Sequence, residues 1–237
     1  QHGVQVYASF RARHASKTAA DIYKGSILTE LFDRDLSRAD YLPTPTIMKL
    51  ALQATQAVAE FHAKGYVHRD IKLKNFFMRD DGLRVVLGDF GLAHTQNDPN
   101  FCRSLAGTRG YIAPELSLNH LSADMTCSSL DGAQRGDLFS LGVVLFKLSD
   151  YGASPVAGMH HQLTLLSRYA LPKSDDEELL LEVRIKKANE AWQAFLRAYA
   201  EVALDIASST HDVRTRLAQI GMSLMAPDSQ ARPSIHE

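Results

Sequence analysis

Cysteine is scarce in this chain: Cys102 and Cys127 are the only two in 237 residues. Two are too few for a disulfide framework, which suits a reducing compartment. Net charge is scarce as well. A formal -1 at pH 7 creates no global field for nucleic acid or an anionic membrane, so phosphate binding has to come from a local set of side chains and metal. No apolar run approaches the ~18 residues of a membrane span, and no basic-then-apolar signal peptide opens the chain. Gln1 is not an initiator methionine, so residues ahead of it are expected to have been lost or excluded. Cytoplasmic placement is the default expectation, with export left open by the missing N-terminus. What the chain does have is apolar content, 45% of its residues, enough for a real core in one domain or one large lobe.

Val4 to Phe10 reads as a strand and Gly25 to Phe32 as a second. A helix follows, with Thr44 as its cap, Pro45 in its first turn, and Ile47, Leu50, Ala54, Val58 and Phe61 at spacings of 3, 4, 4 and 3; Gly65 ends it. Phe76 to Met78 and Arg84 to Leu87 read as a hairpin closed at Asp81-Gly82, which would hold Asn75 and Asp89 at neighbouring strand ends. Asp137 to Leu148 is apolar nearly all round, a helix buried on most sides. Leu181, Ile185, Ala188, Trp192, Phe195, Tyr199, Val202 and Ile206 alternate spacings of 4 and 3, one stripe on a helix of about eight turns. That stripe is expected to pack within its own domain, and Ser208-Ser209-Thr210 breaks it. A last helix carries Leu217, Ile220 and Leu224 and stops at Pro227.

Three strings carry the chemistry: His68-Arg69-Asp70-Ile71-Lys72-Leu73-Lys74-Asn75, then Asp89-Phe90-Gly91, then Ala113-Pro114-Glu115. Each residue alone has an ordinary explanation. An Asp after a strand is often a turn former, a loop Lys is usually solvated, and an Asn can cap local backbone. Their order and spacing set those explanations aside. The strings resemble the catalytic loop, the magnesium-binding loop and the end of the activation segment of eukaryotic protein kinases, serine/threonine type. The resemblance runs from about residue 1 to Arg232. It implies an α+β, protein kinase-like fold: a mostly helical large lobe, a small hairpin carrying the catalytic and magnesium loops, and only a remnant of the small lobe. Residues 1–32 would be that remnant and hinge, and 33–237 the large lobe. Within the large lobe, 68–75 would be the catalytic loop, 89–115 the activation segment, and about 176–207 a long helical insertion.

By this resemblance the chain transfers the γ-phosphoryl group of ATP, with Mg²⁺, to a Ser or Thr hydroxyl of a protein. Positioning and electrostatics supply most of the rate of such a transfer. Asp70 would orient the hydroxyl and take its proton, Lys72 would offset charge on the transferred group and favours serine/threonine over tyrosine specificity, and Asn75 and Asp89 would be oxygen ligands to Mg²⁺. Thr108, in Gly107-Thr108-Arg109-Gly110-Tyr111, would contact Asp70 and Lys72. Ser104 falls where many relatives are phosphorylated by an upstream kinase, and Arg69 could pair with that phosphate. Asp137 would anchor the catalytic-loop backbone, and Arg232 would pair with Glu115, a pair whose breakage costs on the order of 3–5 kcal/mol. His68 and Phe90 resemble members of the apolar column of an active kinase. Thr29-Glu30-Leu31-Phe32 resembles the hinge: Thr29 at the gatekeeper position, backbone of Glu30 and Phe32 at adenine, Phe77 beneath it, and Asp35 toward the ribose.

The chain departs from the family in lacking a Gly-x-Gly-x-x-Gly string, a Val-Ala-Ile-Lys-like strand and the helix whose Glu pairs with that Lys. Truncation at both ends, with the small lobe supplied by a longer chain, is the expected account, and the chain as given is expected to be weakly active or inactive. Two stretches, Glu115 to Asp137 and Asp150 to Arg232, are longer than the family needs, and resemble inserts of divergent parasite kinases of the rhoptry type. A pseudokinase-like scaffold or binding module is the alternative, opposed by the presence of Asp70, Lys72, Asn75 and Asp89. A small-molecule phosphotransferase is a third, opposed by the Gly107 to Glu115 string and Arg232.

Overall fold

The computed structural model describes residues 6–13, 23–39, 42–79, 84–95, 105–122, 130–150, 153–170, 180–209 and 212–235. Strands β1 (Val6–Arg13) and β2 (Tyr23–Thr29) pair antiparallel with a register shift between Val6 and Ala8. The first strand thus runs further than its sequence pattern indicates, and the second stops at Thr29, leaving Glu30 to Phe32 as a connection. Val4 and Gln5 lie outside the described residues.

β3 (Arg34–Asp35), β5 (Phe76–Arg79) and β6 (Arg84–Leu87) form a three-stranded sheet in the order β3-β5-β6, and β4 (Tyr66–Val67) pairs with β7 (His94–Thr95). The hairpin register runs from Phe76 opposite Leu87 to Arg79 opposite Arg84. Its Asp81-Gly82 turn lies outside the described residues.

Helices make up the rest: α1 (Thr44–Ala63), α2 (Pro114–Leu121), α3 (Leu130–Ser149), α4 (Ala153–Ala170), α5 (Leu181–Ser208) and α6 (Val213–Leu224). α1 buries Ile47, Leu50, Ala54 and Val58. It starts one residue earlier than the cap reading, with Pro43 at the cap position, because the Thr44 hydroxyl accepts from Arg214 Nε at 3.0 Å instead of capping the helix. Gly65 ends it with φ +77, the left-handed turn for which glycine carries no Cβ penalty.

α3 is the axis of the core. Leu138, Leu141, Leu145 and Leu148 face α1 and the hairpin in one cluster. Phe139, Val143 and Phe146 face α4, α5 and α6 in another. Two stripes on one helix explain why its sequence is apolar all round. The α5 stripe from Ile185 to Ile206 packs on α4 and α6, with Trp192 stacked on Phe195 at 5.5 Å; only Leu181, at its start, is exposed.

Ile220 is 51% exposed, because α6 turns Gly221 to α3. A Cβ on Gly221 would meet Phe146 N at 2.8 Å and Gly142 O at 2.9 Å, and a Cβ on Gly142 would meet Gly221 O at 2.7 Å. Both obstacles are backbone, so neither yields without moving a helix. Gly221→Ala is therefore expected to destabilise by about 1–3 kcal/mol, despite alanine's better helix propensity, read as a lower urea midpoint at unchanged m. A midpoint at or above that of the parent would show that the two helices can part freely.

Candidate active site

The hairpin joins two loops. The short 3-10 turn Leu73–Asn75 precedes β5, and Gly88 and Asp89 follow β6. Gly88 N–H donates to the Asn75 carbonyl at 3.0 Å, so Asn75 and Asp89 adjoin although fourteen residues separate them. Asp89 has φ 60 and ψ 66, a left-handed conformation that costs a side-chain-bearing residue roughly 1–2 kcal/mol. The turn folds its carboxylate back, so that a Cβ on Gly91 would sit 3.5 Å from Asp89 Oδ1.

Asp70 is buried at the centre and held by three side-chain donors. Lys72 Nζ donates to Asp70 Oδ2 at 2.6 Å and to Thr108 Oγ1 at 2.9 Å. Thr108 Oγ1 in turn donates to Asp70 Oδ1 at 2.6 Å. Asn75 Nδ2 donates to the Asp70 carbonyl at 2.8 Å and to its Oδ2 at 3.3 Å. An ionised carboxylate offers about four acceptor positions. Oδ2 uses both of its own on Lys72 and Asn75, whereas Oδ1 keeps one beside Thr108. That leaves a single open acceptor position on Asp70.

The backbone behind Asp70 is fixed by Asp137 of α3, whose carboxylate accepts from His68 N–H at 2.7 Å, Arg69 N–H at 2.8 Å and His62 Nε2 at 2.9 Å. Arg69 has φ 67, so Asp137 holds a strained residue directly ahead of Asp70. His68 Nδ1 accepts from Asp70 N–H at 3.3 Å, which leaves the proton on Nε2 to be donated to Gly88 O at 3.1 Å. The same ring meets Phe90 edge-on at 5.5 Å, and Phe90 stacks on Phe61 at 5.2 Å. At the far end of the segment, Glu115 receives Arg232 in a fork, 2.6 Å to Oε1 and 2.9 Å to Oε2.

The hinge-like residues gather near Phe77. Phe32 stacks on Phe77 at 5.1 Å, and Asp35 stands opposite Phe77 across β3 and β5. Asp35 Oδ1 accepts from Ser37 N–H at 2.8 Å, so one oxygen is committed to a turn. The Glu30 side chain is buried and pairs with Arg79 at 2.9 Å, and its carbonyl accepts from the exposed Thr29 hydroxyl at 3.1 Å. Ser104 lies outside the described residues, so Arg69 cannot be placed against it.

Asn75 spends its amide nitrogen on Asp70, so its side-chain oxygen and the Asp89 carboxylate are the groups that could hold a cation. One amide and one carboxylate oxygen suit Mg²⁺, which keeps several waters and takes further oxygens from phosphate. Among the described residues no group of three or more His, Cys, Asp or Glu could hold a metal ion. His62 bonds Asp137, and Lys147 and His160 flank Tyr111; these three carry no local sequence signal. Lys147 Nζ lies over the Tyr111 ring at 5.0 Å, and His160 meets that ring edge-on at 5.9 Å.

The family model described as "Protein kinase domain" matches residues 4–237. The mitosis inhibitor protein kinase mik1 of Schizosaccharomyces pombe is 29% identical over 211 residues, 87% of this chain and 34% of that protein. The serine/threonine-protein kinase Nek2 of Mus musculus is 31% identical over 131 residues, 53% of this chain and 27% of that protein. The calcium/calmodulin-dependent protein kinase type 1 of Caenorhabditis elegans is 36% identical over 89 residues, 37% of this chain and 25% of that protein. The chain spans about a third or less of the length of these curated relatives. Among the described residues no helix is long and apolar enough to cross a membrane. With a family match over nearly its whole length, and a mostly helical α+β fold built around a paired catalytic-loop hairpin, the chain belongs to the protein kinase domain family.

Proposed function

We propose that the chain is the catalytic region of a serine/threonine protein kinase, transferring the γ-phosphoryl group of ATP to a Ser or Thr hydroxyl of a protein. The observation that carries this reading is the Asp70 carboxylate, fixed by Lys72, Asn75 and Thr108 with one acceptor position of Oδ1 open. A substrate hydroxyl donating there would be aligned before reaction and would pass its proton to Asp70. Mg²⁺-ATP, when bound, supplies the phosphoryl group and the charge that neutralises it. Asn75 and Asp89 would hold the cation through oxygen, and Lys72, already bridging Asp70 and Thr108, would keep a positive charge beside the attacking oxygen. Phe77, Phe32 and Asp35 would meet the nucleoside. Asp137, His68, Phe90 and the Glu115–Arg232 pair would hold the loops in register. Thr108 would close the substrate side.

Turnover is expected to be low, because residues 1–237 contain no Gly-x-Gly-x-x-Gly string to cover phosphates. The test is Mg²⁺-ATP-dependent labelling of a generic serine/threonine substrate at high protein concentration. Asp70→Asn keeps the shape but removes the base, and the measured rate is expected to fall by about 10²–10⁴. A rate unchanged in Asp70→Asn would overturn the role given to Asp70. Phosphotyrosine as the product would overturn the serine/threonine assignment.

A further inference from the structure

Lys147, on α3, lies against the segment that carries Thr108. Its ammonium sits 5.0 Å above the Tyr111 ring. Tyr111 N–H bonds the Thr108 carbonyl at 3.0 Å, while its hydroxyl is bonded to the Leu73 backbone and lies within the field of Asp70. Tyr111 thus stands between the Leu73–Asn75 turn and a second lysine.

The two lysines differ in what neutralises them. Lys72 is paired with Asp70 at 2.6 Å. Lys147 forms no ion pair with a carboxylate among the described residues; Asp150, three residues on, faces Arg214 at 3.9 Å instead. Burial pushes the Lys147 ammonium below its ordinary pKa, and no carboxylate among the described residues offsets that burial. On its inner side stand Val143, Phe146, Met159 and His160. His160 brings no negative charge either. Its pKa is lowered to about 4, by burial first and then by Lys147 and His161, so its ring is neutral at pH 7. His160 Nε2 is buried with no hydrogen-bond partner, set against Gly110, where a Cβ would come within 2.6 Å of it. Among the described residues the cluster therefore holds a half-desolvated cation and no anion, and Tyr111 links it to Thr108, whose hydroxyl donates to Asp70.

We propose that Lys147 is a specificity-determining residue, receiving the carboxylate of an Asp or Glu close to the acceptor hydroxyl in the protein substrate. This rests on the protein kinase reading given above. An extended peptide covers about 3.3–3.6 Å per residue, so a residue two or three places from the acceptor spans one tyrosine ring. A carboxylate arriving there pairs with a cation that the fold has already stripped of part of its water, which makes the contact stronger than a fully exposed pair.

The test reads binding, not turnover, so a chain without phosphotransfer activity leaves it intact. Fluorescent serine peptides flanked by Asp and Glu, by Ala, or by Arg are titrated with the whole chain without nucleotide, by anisotropy at low and physiological salt. The acidic peptide is expected to bind about tenfold more tightly than the alanine peptide at low salt, with the preference shrinking as salt rises. Lys147→Met, which keeps the packed stem, is expected to abolish the preference, Lys147→Arg to retain it, and Lys147→Glu to favour the arginine peptide. Equal affinity for acidic and alanine peptides, or no measurable binding of any, overturns the proposal. So does a preference that survives in Lys147→Met, which would place the cation elsewhere, for example at Arg109. Circular dichroism melts of each variant separate lost recognition from lost folding.

Discussion

Arg232→Ala is expected to cost roughly 3–5 kcal/mol of stability, one of the two largest effects of any single substitution considered for this chain. The Arg232 side chain has 0% exposure. It fills the Glu115 fork, donates to the Ala226 and Arg135 carbonyls at 3.0 Å each, and lies 4.9 Å from the Phe139 ring centroid. Truncation strands a partly buried carboxylate, removes the Arg232 donor from the Ala226 carbonyl and opens a cavity against Phe139. Arg232→Lys keeps the charge but not the planar fork, and cannot serve carboxylate and carbonyls together, so it is expected to recover only part of the loss. Glu115→Gln should cost less than Arg232→Ala, because Glu115 is 26% exposed in its side chain and its end of the pair can hydrate. Urea midpoints of the three variants and a double-mutant cycle measure this. A loss below about 1 kcal/mol for Arg232→Ala would show the pair to be incidental.

Arg232 also shows how unevenly the chain can be read. Patterns confined to one element were legible. The hairpin from Phe76 to Leu87 rests on strand-forming residues around an Asp-Gly turn, α3 on an unbroken apolar run, and α5 on one stripe from Ile185 to Ile206. α4 escaped, although Met159, Leu163, Leu166 and Ala170 fall at spacings of 4, 3 and 4. Pro155 and Gly158, within its first turns, are residues of low helix propensity. The exposure of Ile220 could not be read locally, because a facing glycine pair decides the rotation of α6. In the site, the strings around Asp70 and Asp89 named candidate residues, but not which atoms meet. That Oδ1 of Asp70 keeps one open position follows only from three donors at Lys72, Asn75 and Thr108. His62 and Lys147 stayed silent for the same reason. Their partners, Asp137 and Tyr111, lie on other elements far along the chain, where no local rule reaches.

Asp137 gives the sharper test of how the fold serves the site. Its carboxylate is 2% exposed and accepts from three donors, two of them the consecutive amides of His68 and Arg69 at 2.7 and 2.8 Å. Asp137→Ala orphans both amides and the His62 ring, and is expected to cost on the order of 3–5 kcal/mol. Asp137→Asn keeps volume and one acceptor oxygen but turns an amide donor toward the other amide, so it is expected to lose roughly half as much. The two variants separate global from local damage. Arg69 is held at φ 67, a conformation that relaxes once its amide bond is lost, and relaxation swings Asp70 away from Thr108 and Lys72. Hydrogen exchange should therefore show one or both of the His68 and Arg69 amides opening in Asp137→Asn while core amides of α1 and α3 keep their protection. If both loop amides instead exchange only with the whole domain, as in the parent, the catalytic loop holds its own shape and Asp137 is merely a buried acceptor. If they open while Thr108 still protects Asp70, the threonine, not the helix, positions Asp70.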